Sequence, residues 1–447
     1  MKLPLPFYRL LHRSYSRGSA ISHFVNLRVT PLAWMLMGLL GVSLVMGGNL
    51  SYSVVILFSA LLSGVLGVAL LWAALRRGRV SVRREISRRG VAGQPLKYSA
   101  QVKNLGRRVL REVALLEVGD DARPGFKMFA ELREPGEEER NAFDRTFVFY
   151  RWKWLMEKGL RWESGEISRS LDLDPGEEAD VRLQLIPRRR GVMALRDVRL
   201  VLPDPLGLFR NCRRTEVDEQ QVLVYPMAYR VPRFLLEGGG ERQSGEEQSL
   251  AWRGEGGEFL GLRDYRPGDS RRKIHWRTWA RTGTPAVKED EENKVARYGL
   301  VLDSWVHGSS PQKFEEAVSV AAGFVQSDGE PDRLLERLAV HGESGTHQLP
   351  PGTRSSQMLL EALARVELAE EEAYQELERG VQAMGREVKA VVLILCGWSP
   401  ERQGLVDRLR SSGVSLHVFA IVHDHAESLP DGVTALREGT IQEDLMS

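Results

Sequence analysis

Residues 300–325, LVLDSWVHGSSPQKFEEAVSVAAGFV, contain a buried-strand pattern, a loop and an amphipathic helix pattern in succession. Leu300 to Leu302 is a short apolar run, and apolar residues then recur at helical spacing from Phe314 to Val325. Strand-like runs at 334–340, 390–395 and 415–422 alternate with one long helix predicted within 355–384 and another helix near 401–410. This alternation predicts a parallel sheet covered on both faces, in an α/β domain over residues 295–430 with a C-terminal tail at 431–447.

Residues 79–230 follow a different period. Apolar and polar residues alternate at 96–102, 181–185 and 198–202, which predicts strands with one buried face. Short strands separated by turn residues favour a β-sandwich of immunoglobulin-like type. A charged and then aromatic insertion at 134–165 interrupts the pattern, and we favour a long hairpin packed on the sandwich over a binding surface.

The segment at 31–76 has no charged residue between Leu32 and Leu75. A polar turn at 47–52 divides it into two helices, the second about 23 residues from Ser53 and roughly 34 Å long, enough to cross a bilayer. The first is nearer the minimum length. Small residues four apart predict close helix packing; they are Ser43, Gly47, Ser59, Ser63 and Gly67. A cleaved signal peptide or a buried core hairpin is disfavoured, because no small-residue cleavage site precedes the second helix.

Basic residues flank this apolar segment on both sides. Residues 1–30 carry Lys2 and four arginines with no acidic residue, and five arginines follow between 76 and 84. Because positive charge stays in the cytoplasm, we expect a two-pass membrane protein with a basic cytoplasmic N-terminus and a cytoplasmic C-terminus.

Composition excludes several classes of function. The chain has 43% hydrophobic residues, 27% charged residues and a formal net charge of +2, which argues against a general polyanion binder. Cys212 and Cys396 are the only cysteines and give no disulfide framework, as in a reducing compartment. The sequence has no Walker loop, nucleophile elbow or paired-carboxylate signature, so we expect neither an enzyme nor a cofactor.

A distinctive segment spans residues 257–292, after a Gly-, Glu- and Ser-rich stretch at 237–256 that predicts a flexible linker. Pro267 and Gly268 predict a turn, Asp269 a helix N-cap, and Ser270 to Arg281 a short helix. On this helix Arg272, Trp276 and Trp279 share one side, whereas Arg277 and Arg281 form another row. We expect the tryptophans in the core and the arginines paired with acidic neighbours (Asp264, Asp269 or Glu289), rather than a nucleic-acid platform.

Residues 257–289 resemble the signature of the bacterial family called domain of unknown function 58, with its Gly-rich entry, Tyr-Arg-Pro-Gly-Asp turn and Trp-Arg helix. Arg190-Gly191, Asp204 to Arg210 and Val224 to Pro226 agree with the same family. The resemblance implies the bacterial cytoplasmic membrane, and partnership with a MoxR-type AAA+ ATPase, often with a transglutaminase-like membrane protein nearby. The family's name records no assigned reaction.

The resemblance also implies that the last domain is von Willebrand factor A-like, with an Asp-x-Ser-x-Ser metal loop after its first strand. Here Trp305 and His307 replace the two hydroxyl ligands, so Asp303 is at most a vestigial ligand and we expect no metal site. His423 and His425 lack an evident third ligand for zinc.

Two hypotheses follow. The first is a non-enzymatic, membrane-anchored scaffold or adaptor that works with the ATPase in assembly or activation of protein complexes, in which the signature either joins the two soluble domains or forms the contact. The second is an anion- or nucleotide-binding protein, or an unrecognised hydrolase, that uses the arginines. Ser270 and His275 lie one helix turn apart and do not make a triad. The candidate interaction residues are Arg263, Asp264, Tyr265, Pro267, Gly268, Asp269, Arg272, Trp276, Arg277 and Arg281.

Overall fold

The structure is a computed structural model that describes residues 5–46, 53–165, 167–231, 259–266, 274–290, 296–304, 311–327, 333–342, 345–348, 356–368, 378–379, 381–382, 390–411, 413, 415–423 and 429–446. They form two compact units, Met1–Pro226 and Met227–Ser447. The chain is a mixture of helices and several sheets. The linker predicted at 237–256 lies outside the described residues.

The first unit begins with three helices, α1 (Leu5–Arg28), α2 (Pro31–Met46) and α3 (Ser53–Leu75). Among the described residues, one helix is long and apolar enough to cross a membrane, at Val54–Leu75, whereas α2 has 16 residues and is shorter. The two helices meet where Ser43 Oγ and Ser59 Oγ lie 2.6 Å apart, as predicted, but Gly67 has nothing within 4 Å of an added Cβ and does not support close packing. The two-pass topology and the side of each terminus stay predictions.

Twelve strands follow in this unit: β1 (Val80–Glu85), β2 (Arg89–Val91), β3 (Leu96–Asn104), β4 (Leu110–Val118), β5 (Trp162–Ser164), β6 (Leu171–Leu173), β7 (Glu178–Pro187), β8 (Gly191–Leu195), β9 (Asp197–Pro203), β10 (Arg210–Arg214), β11 (Glu216–Val217) and β12 (Gln220–Tyr225). They form sheets of order β11-β1-β3-β7-β5, β10-β9-β4-β6 and β2-β12-β8. The strands predicted by alternation are confirmed as β3, β7 and β9. Residues from all three sheets share one core, including Leu115, Leu185 and Val224. The immunoglobulin-like type stays a prediction.

The insertion is helical, so the predicted long hairpin is wrong. It contains α5 (Ala142–Phe147) and α6 (Phe149–Gly159), preceded by α4 (Phe126–Glu131). Trp152 and Leu155 of α6 and Phe129 of α4 pack with Leu11 of α1 in a separate aromatic-rich core. The aromatic residues repeat at helical rather than alternate spacing, and α1 supplies the apolar surface that covers them. The basic N-terminus is therefore a packed helix of this unit.

The second unit contains β13 (Phe259–Asp264), α7 (Trp276–Thr282), β14 (Ala286–Asp290), β15 (Ala296–Leu302), α8 (Pro311–Gln326), β16 (Arg333–Gly342), β17 (Gly345–Gln348), α9 (Ser356–Arg365), β18 (Ala390–Leu395), α10 (Pro400–Ser411), β19 (Leu416–Val422), β20 (Val433–Arg437) and α11 (Ile441–Met446). Residues 227–231 also belong to it, and Tyr229 OH donates to Glu316 of α8 at 2.6 Å.

A six-stranded sheet of order β17-β16-β15-β18-β19-β20 forms the centre of this unit. All neighbouring strands are parallel except the edge pair β16 and β17. The predicted tail at 431–447 is wrong as a tail, because β20 completes the sheet and Ile441 and Leu445 are buried. A single long helix within 355–384 is also wrong, since α9 ends at Arg365 and residues 366–368 are not helical.

Candidate functional site

The signature segment folds into a two-stranded ribbon that carries a short helix. β13 pairs antiparallel with β14, so that Arg263 lies opposite Val287 and Asp264 opposite Ala286. Ile274 then returns to bridge Val287, and the His275 amide donates to the Ala286 carbonyl at 2.8 Å. Ile274, Ala286 and Val287 are buried, and they form the apolar support on which α7 is placed.

Helix α7 begins later than predicted, and its cap is a different residue. His275 is the N-cap: its Nδ1 accepts from the Thr278 amide at 3.3 Å and lies 2.7 Å from Thr278 Oγ1. Because Ile274 is held in an extended β-bridge, the helix cannot pass through it. A continuous helix from Ser270 capped by Asp269 is therefore wrong. Ser270 itself lies outside the described residues.

The two tryptophans of α7 are not core anchors. Trp276 is 60% exposed, and its ring stacks on the half-buried Trp279 with centroids 5.2 Å apart and planes at 26°. No residue of α7 is buried, because the support beneath it is made by Ile274 and β14. The prediction that Trp276 belongs to the core is wrong.

The arginines of α7 are also at the surface. Arg277 and Arg281 are exposed, and neither makes an ion pair within the described part of the chain, so the predicted pairing inside the fold is not seen there. We call the side chains of Trp276, Arg277, Trp279 and Arg281 the α7 surface.

Of the other predicted site residues, those on and next to β13 are described and the rest are not. The Arg263 guanidinium donates to the Asp264 carbonyl at 3.2 Å, and the Tyr265 amide donates to the Pro285 carbonyl at 2.9 Å. Pro267, Gly268, Asp269 and Arg272 lie outside the described residues, as do the side chains of Glu289 and Asp290. The structure therefore brings together the strand part and the helix part of the signature, joined by β14.

Asp303 lies at the carboxyl end of β15, where the sheet order reverses between β15 and β18. Ligands of open α/β sheets bind at such a point. Here the carboxylate is 1% exposed, and Arg402 Nε donates to its Oδ2 at 2.8 Å from a side chain that is 0% exposed. The Asp303 amide donates to the Ile394 carbonyl at 2.9 Å, which ties the loop to β18.

The ion pair between Asp303 and Arg402 determines whether Asp303 can act as a metal ligand. A hard divalent cation needs several oxygen ligands, whereas a carboxylate that already accepts from a buried guanidinium is compensated by protein charge. Within the described residues, no group of three or more His, Cys, Asp or Glu side chains is placed to hold a metal ion. His423 contacts Glu438 at 2.6 Å, and its expected companion His425 lies outside those residues.

The motif at 204–210, for which the sequence predicts no role, is a tight turn between β9 and β10 that packs against the first helices. Asp204 is 2% exposed, and its carboxylate accepts from the amides of Leu206, at 2.7 Å, and Phe209. Gly207 has φ +67°, a backbone conformation that favours glycine. The turn therefore depends on aspartate and glycine at these two positions.

The apolar end of this turn contacts both α2 and α3. Leu208 and Phe209 share a core with Ala33 of α2 and Ala69 of α3. The Thr30 amide donates to the Leu208 carbonyl at 3.1 Å. The motif thus holds the junction at which α1 ends and α2 begins. In the sequence it can be recognised by the consecutive residues Asp-Pro-Leu-Gly-Leu-Phe.

A buried polar network inside the first unit was also missed. Arg84 donates to Glu117 at 2.7 and 3.1 Å, and Tyr98 OH donates to the same carboxylate at 2.6 Å. Burial, together with the Glu117 charge, raises the pKa of Tyr98, and burial also raises the pKa of Glu117. All three side chains are enclosed in the strand core, so the network stabilises the fold and is not accessible to a ligand.

Comparisons with known proteins give little beyond the family. No curated protein matches the chain. Among solved structures, an alpha-2-macroglobulin from Salmonella shares 13% identity over 36% of this chain and 9% of its own, with a TM-score of 0.18. A PapD-like domain of human CEP192 shares 12% identity over 33% of this chain and 87% of its own, with a TM-score of 0.16. The chain thus spans less than a tenth of the first of these, and neither likeness carries an argument.

A family model matches a large part of the second unit. The match covers residues 261–446, somewhat less than half of the chain, and includes most of β13, all of α7 and the whole six-stranded sheet. It supports the relationship suggested by the signature: this part of the chain matches the family described as Protein of unknown function DUF58.

Proposed function

We propose that this protein is a non-enzymatic, membrane-anchored adaptor that binds a protein partner through the α7 surface. The observation that carries the proposal is the exposed, stacked pair Trp276 and Trp279 beside two arginines without ion pairs among the described residues. Trp and Arg are the residues most enriched among those that dominate binding energy at protein interfaces.

The energy available at this surface is appreciable. A tryptophan side chain offers roughly 200 Å² of surface, so the 60% of Trp276 that is exposed is about 120 Å². At about 25 cal/mol per Å², burying it against a partner contributes roughly 3 kcal/mol. That is of the size expected for one dominant contact of an interface, and it gives a reason for a large aromatic side chain to remain at the surface.

The identity of the partner rests on the family. We propose a MoxR-type AAA+ ATPase, with a transglutaminase-like membrane protein as a further component, because the resemblance of the signature implies that association. The family match supports the resemblance itself. The adaptor itself needs no catalytic group. The Asp303 carboxylate accepts a hydrogen bond from Arg402, and His275 caps helix α7. These contacts give structural roles to the two residues whose positions would suit a metal ligand or a general base.

Two finer identities of the fold belong to this proposal. The order of the six-stranded sheet, with one antiparallel edge strand, supports a von Willebrand factor A-like domain. The three strand sheets with a common core support an immunoglobulin-like sandwich. We further propose that α2 and α3 both cross the bacterial cytoplasmic membrane with both termini in the cytoplasm, which reporter fusions at the termini and at Asn49 would test.

A second candidate function is binding of an anion or nucleotide, or an unrecognised hydrolase activity, at the same surface. Arg277 and Arg281 favour it, because they lie four residues apart on one face of α7 and have no carboxylate partner among the described residues.

Co-purification of the full chain from native membranes tests the adaptor role. We expect Trp276→Ala to reduce recovery of the AAA+ ATPase at least tenfold while the melting temperature stays within a degree or two of wild type, since the side chain is largely exposed. Phe143→Ala is the matched control, because that ring is 68% exposed on α5. Equal recovery from both variants would refute the proposal. A melting temperature that rises with nucleotide in wild type, but not in Arg277→Gln, would favour the second candidate.

A further inference from the structure

Helix α1 carries a row of arginines without acidic partners in the part of the chain that the structure describes. Arg9, Arg13 and Arg17 are spaced four residues apart, so they lie on one face, where like charges destabilise a helix. None of them makes an ion pair within the described residues, and residues 1–30 contain no Asp or Glu. Such a row favours binding of an anion.

The three arginines line a cavity. It has a volume of about 460 Å³, and its walls are Arg9, His12, Arg13, Ser16 and Arg17 of α1 together with Phe126 of α4. The Arg9 guanidinium lies 5.5 Å from the centre of the Phe126 ring. Guanidinium groups provide forked donors that match phosphate oxygens, and the Ser16 hydroxyl adds another donor.

The cavity is built on a rigidly placed helix. His12 Nε2 donates to the Pro124 carbonyl at 2.9 Å, and Trp152 Nε1 donates to Ser19 Oγ at 3.0 Å. Leu11, on the opposite side of the same turns, is buried among the aromatic residues of α4 and α6. The helix backbone that carries the arginines is therefore held in place by other elements of the first unit.

The outer side of α1 is partly apolar. Leu10 is 64% exposed, Ile21 64% and Phe24 55%, and their spacing places them in one stripe along the helix. Basic residues beside an exposed apolar stripe are typical of helices that lie at an anionic membrane surface. The apolar α2 begins at Pro31, three residues after α1 ends at Arg28.

We propose that this cavity is a phosphate-group site, which takes the headgroup phosphate of an anionic phospholipid. The site shares no residue with the α7 surface, so a failure of the adaptor proposal would not affect it. Only the choice of a lipid as the source of the phosphate rests on the proposed membrane anchoring. A free phosphate compound offers the same group without an acyl chain.

The test measures the melting temperature of the full chain in a neutral detergent at constant ionic strength. The probes are short-chain phosphatidylglycerol, short-chain phosphatidylcholine, inorganic phosphate and chloride. We expect phosphatidylglycerol to raise the melting temperature with a half-saturating concentration at least tenfold below that of inorganic phosphate. Equal half-saturation would retain the phosphate site but overturn the lipid as its source.

Two variants with the same loss of charge separate the cavity from general electrostatics. We expect the double variant Arg13→Gln with Arg17→Gln to weaken the response at least tenfold, because both residues line the cavity. Arg107→Gln with Arg108→Gln removes two exposed charges from the loop between β3 and β4 and should leave the response unchanged. No response beyond that to chloride, or equal weakening in both variants, would overturn the proposal.

Discussion

The ion pair between Asp303 and Arg402 gives the sharpest stability prediction. Both side chains are enclosed, at 1% and 0% exposure, and their contact is 2.8 Å. Removing one partner takes a direct 2.8 Å contact from the other buried charge, which costs about 3 to 5 kcal/mol. Because domains of this size are stable by roughly 5 to 15 kcal/mol, we expect Asp303→Asn and Arg402→Met each to lower the melting temperature of the second unit markedly.

The double variant Asp303→Asn with Arg402→Met shows whether the two substitutions act on one ion pair or lower stability independently. The double variant carries neither charge of the pair, so it should be more stable than the less stable of the two single variants. The coupling free energy from the double-mutant cycle should be at least about 1 kcal/mol, since the residues are in direct contact. Thermal and urea unfolding of the full chain in detergent provide the measurement.

The opposing account treats Asp303 as a ligand for a divalent cation. It predicts that Mg²⁺ or Mn²⁺ raises the melting temperature of the wild-type protein and that Arg402→Met increases this response. Additive effects of the two substitutions, together with metal-dependent stability, would refute the interpretation of Asp303 as a structural residue.

Three further predictions concern other parts of the fold. Gly323→Ala should lower stability by about 1 to 3 kcal/mol in thermal unfolding, because the added Cβ would lie 2.2 Å from the Tyr229 carbonyl oxygen. Asp204→Ala should cost about 2 to 5 kcal/mol and increase proteolysis near residue 30, because two backbone amides lose their acceptor. The hydrogen bond from Arg437 lowers the pKa of Asp444 in the folded protein. The ionised Asp444 carboxylate therefore stabilises the fold fully at pH values above its unfolded pKa of about 3.9, and this stabilisation is lost as pH falls through the lower pKa of the folded state. The stability difference between wild type and Asp444→Asn should therefore disappear in acid and persist at neutral pH.

Local pattern predicts the elements of this chain well where one face is buried. Strands β3, β7 and β9 follow from the alternation of apolar and polar residues, whereas α3 and β18 follow from continuous apolar runs. Helix α1 is different. Its sequence is basic and only weakly patterned, and it is ordered by aromatic residues from α4 and α6, more than 100 positions along the chain.

The candidate site shows the same division. The position of the signature and its arginine content can be identified from sequence, but the burial of each side chain depends on a partner that is distant in the chain. Ile274 is drawn into a bridge with Val287, which delays the start of α7 and leaves Trp276 at the surface. Asp303 forms an ion pair with Arg402, which lies 99 positions further along the chain, and no local sequence pattern indicates this contact.

If the α7 surface contacts a protein partner, that partner lies within crosslinking distance of position 276. A photo-crosslinking amino acid in place of Trp276, in the full chain and in native membranes, tests this contact most directly, with the same group in place of Phe143 as control. The account predicts a crosslinked product between position 276 and an AAA+ ATPase, identified by mass spectrometry, and little or none from position 143. Absence of a protein adduct at 276, or equal adducts from both positions, would contradict it.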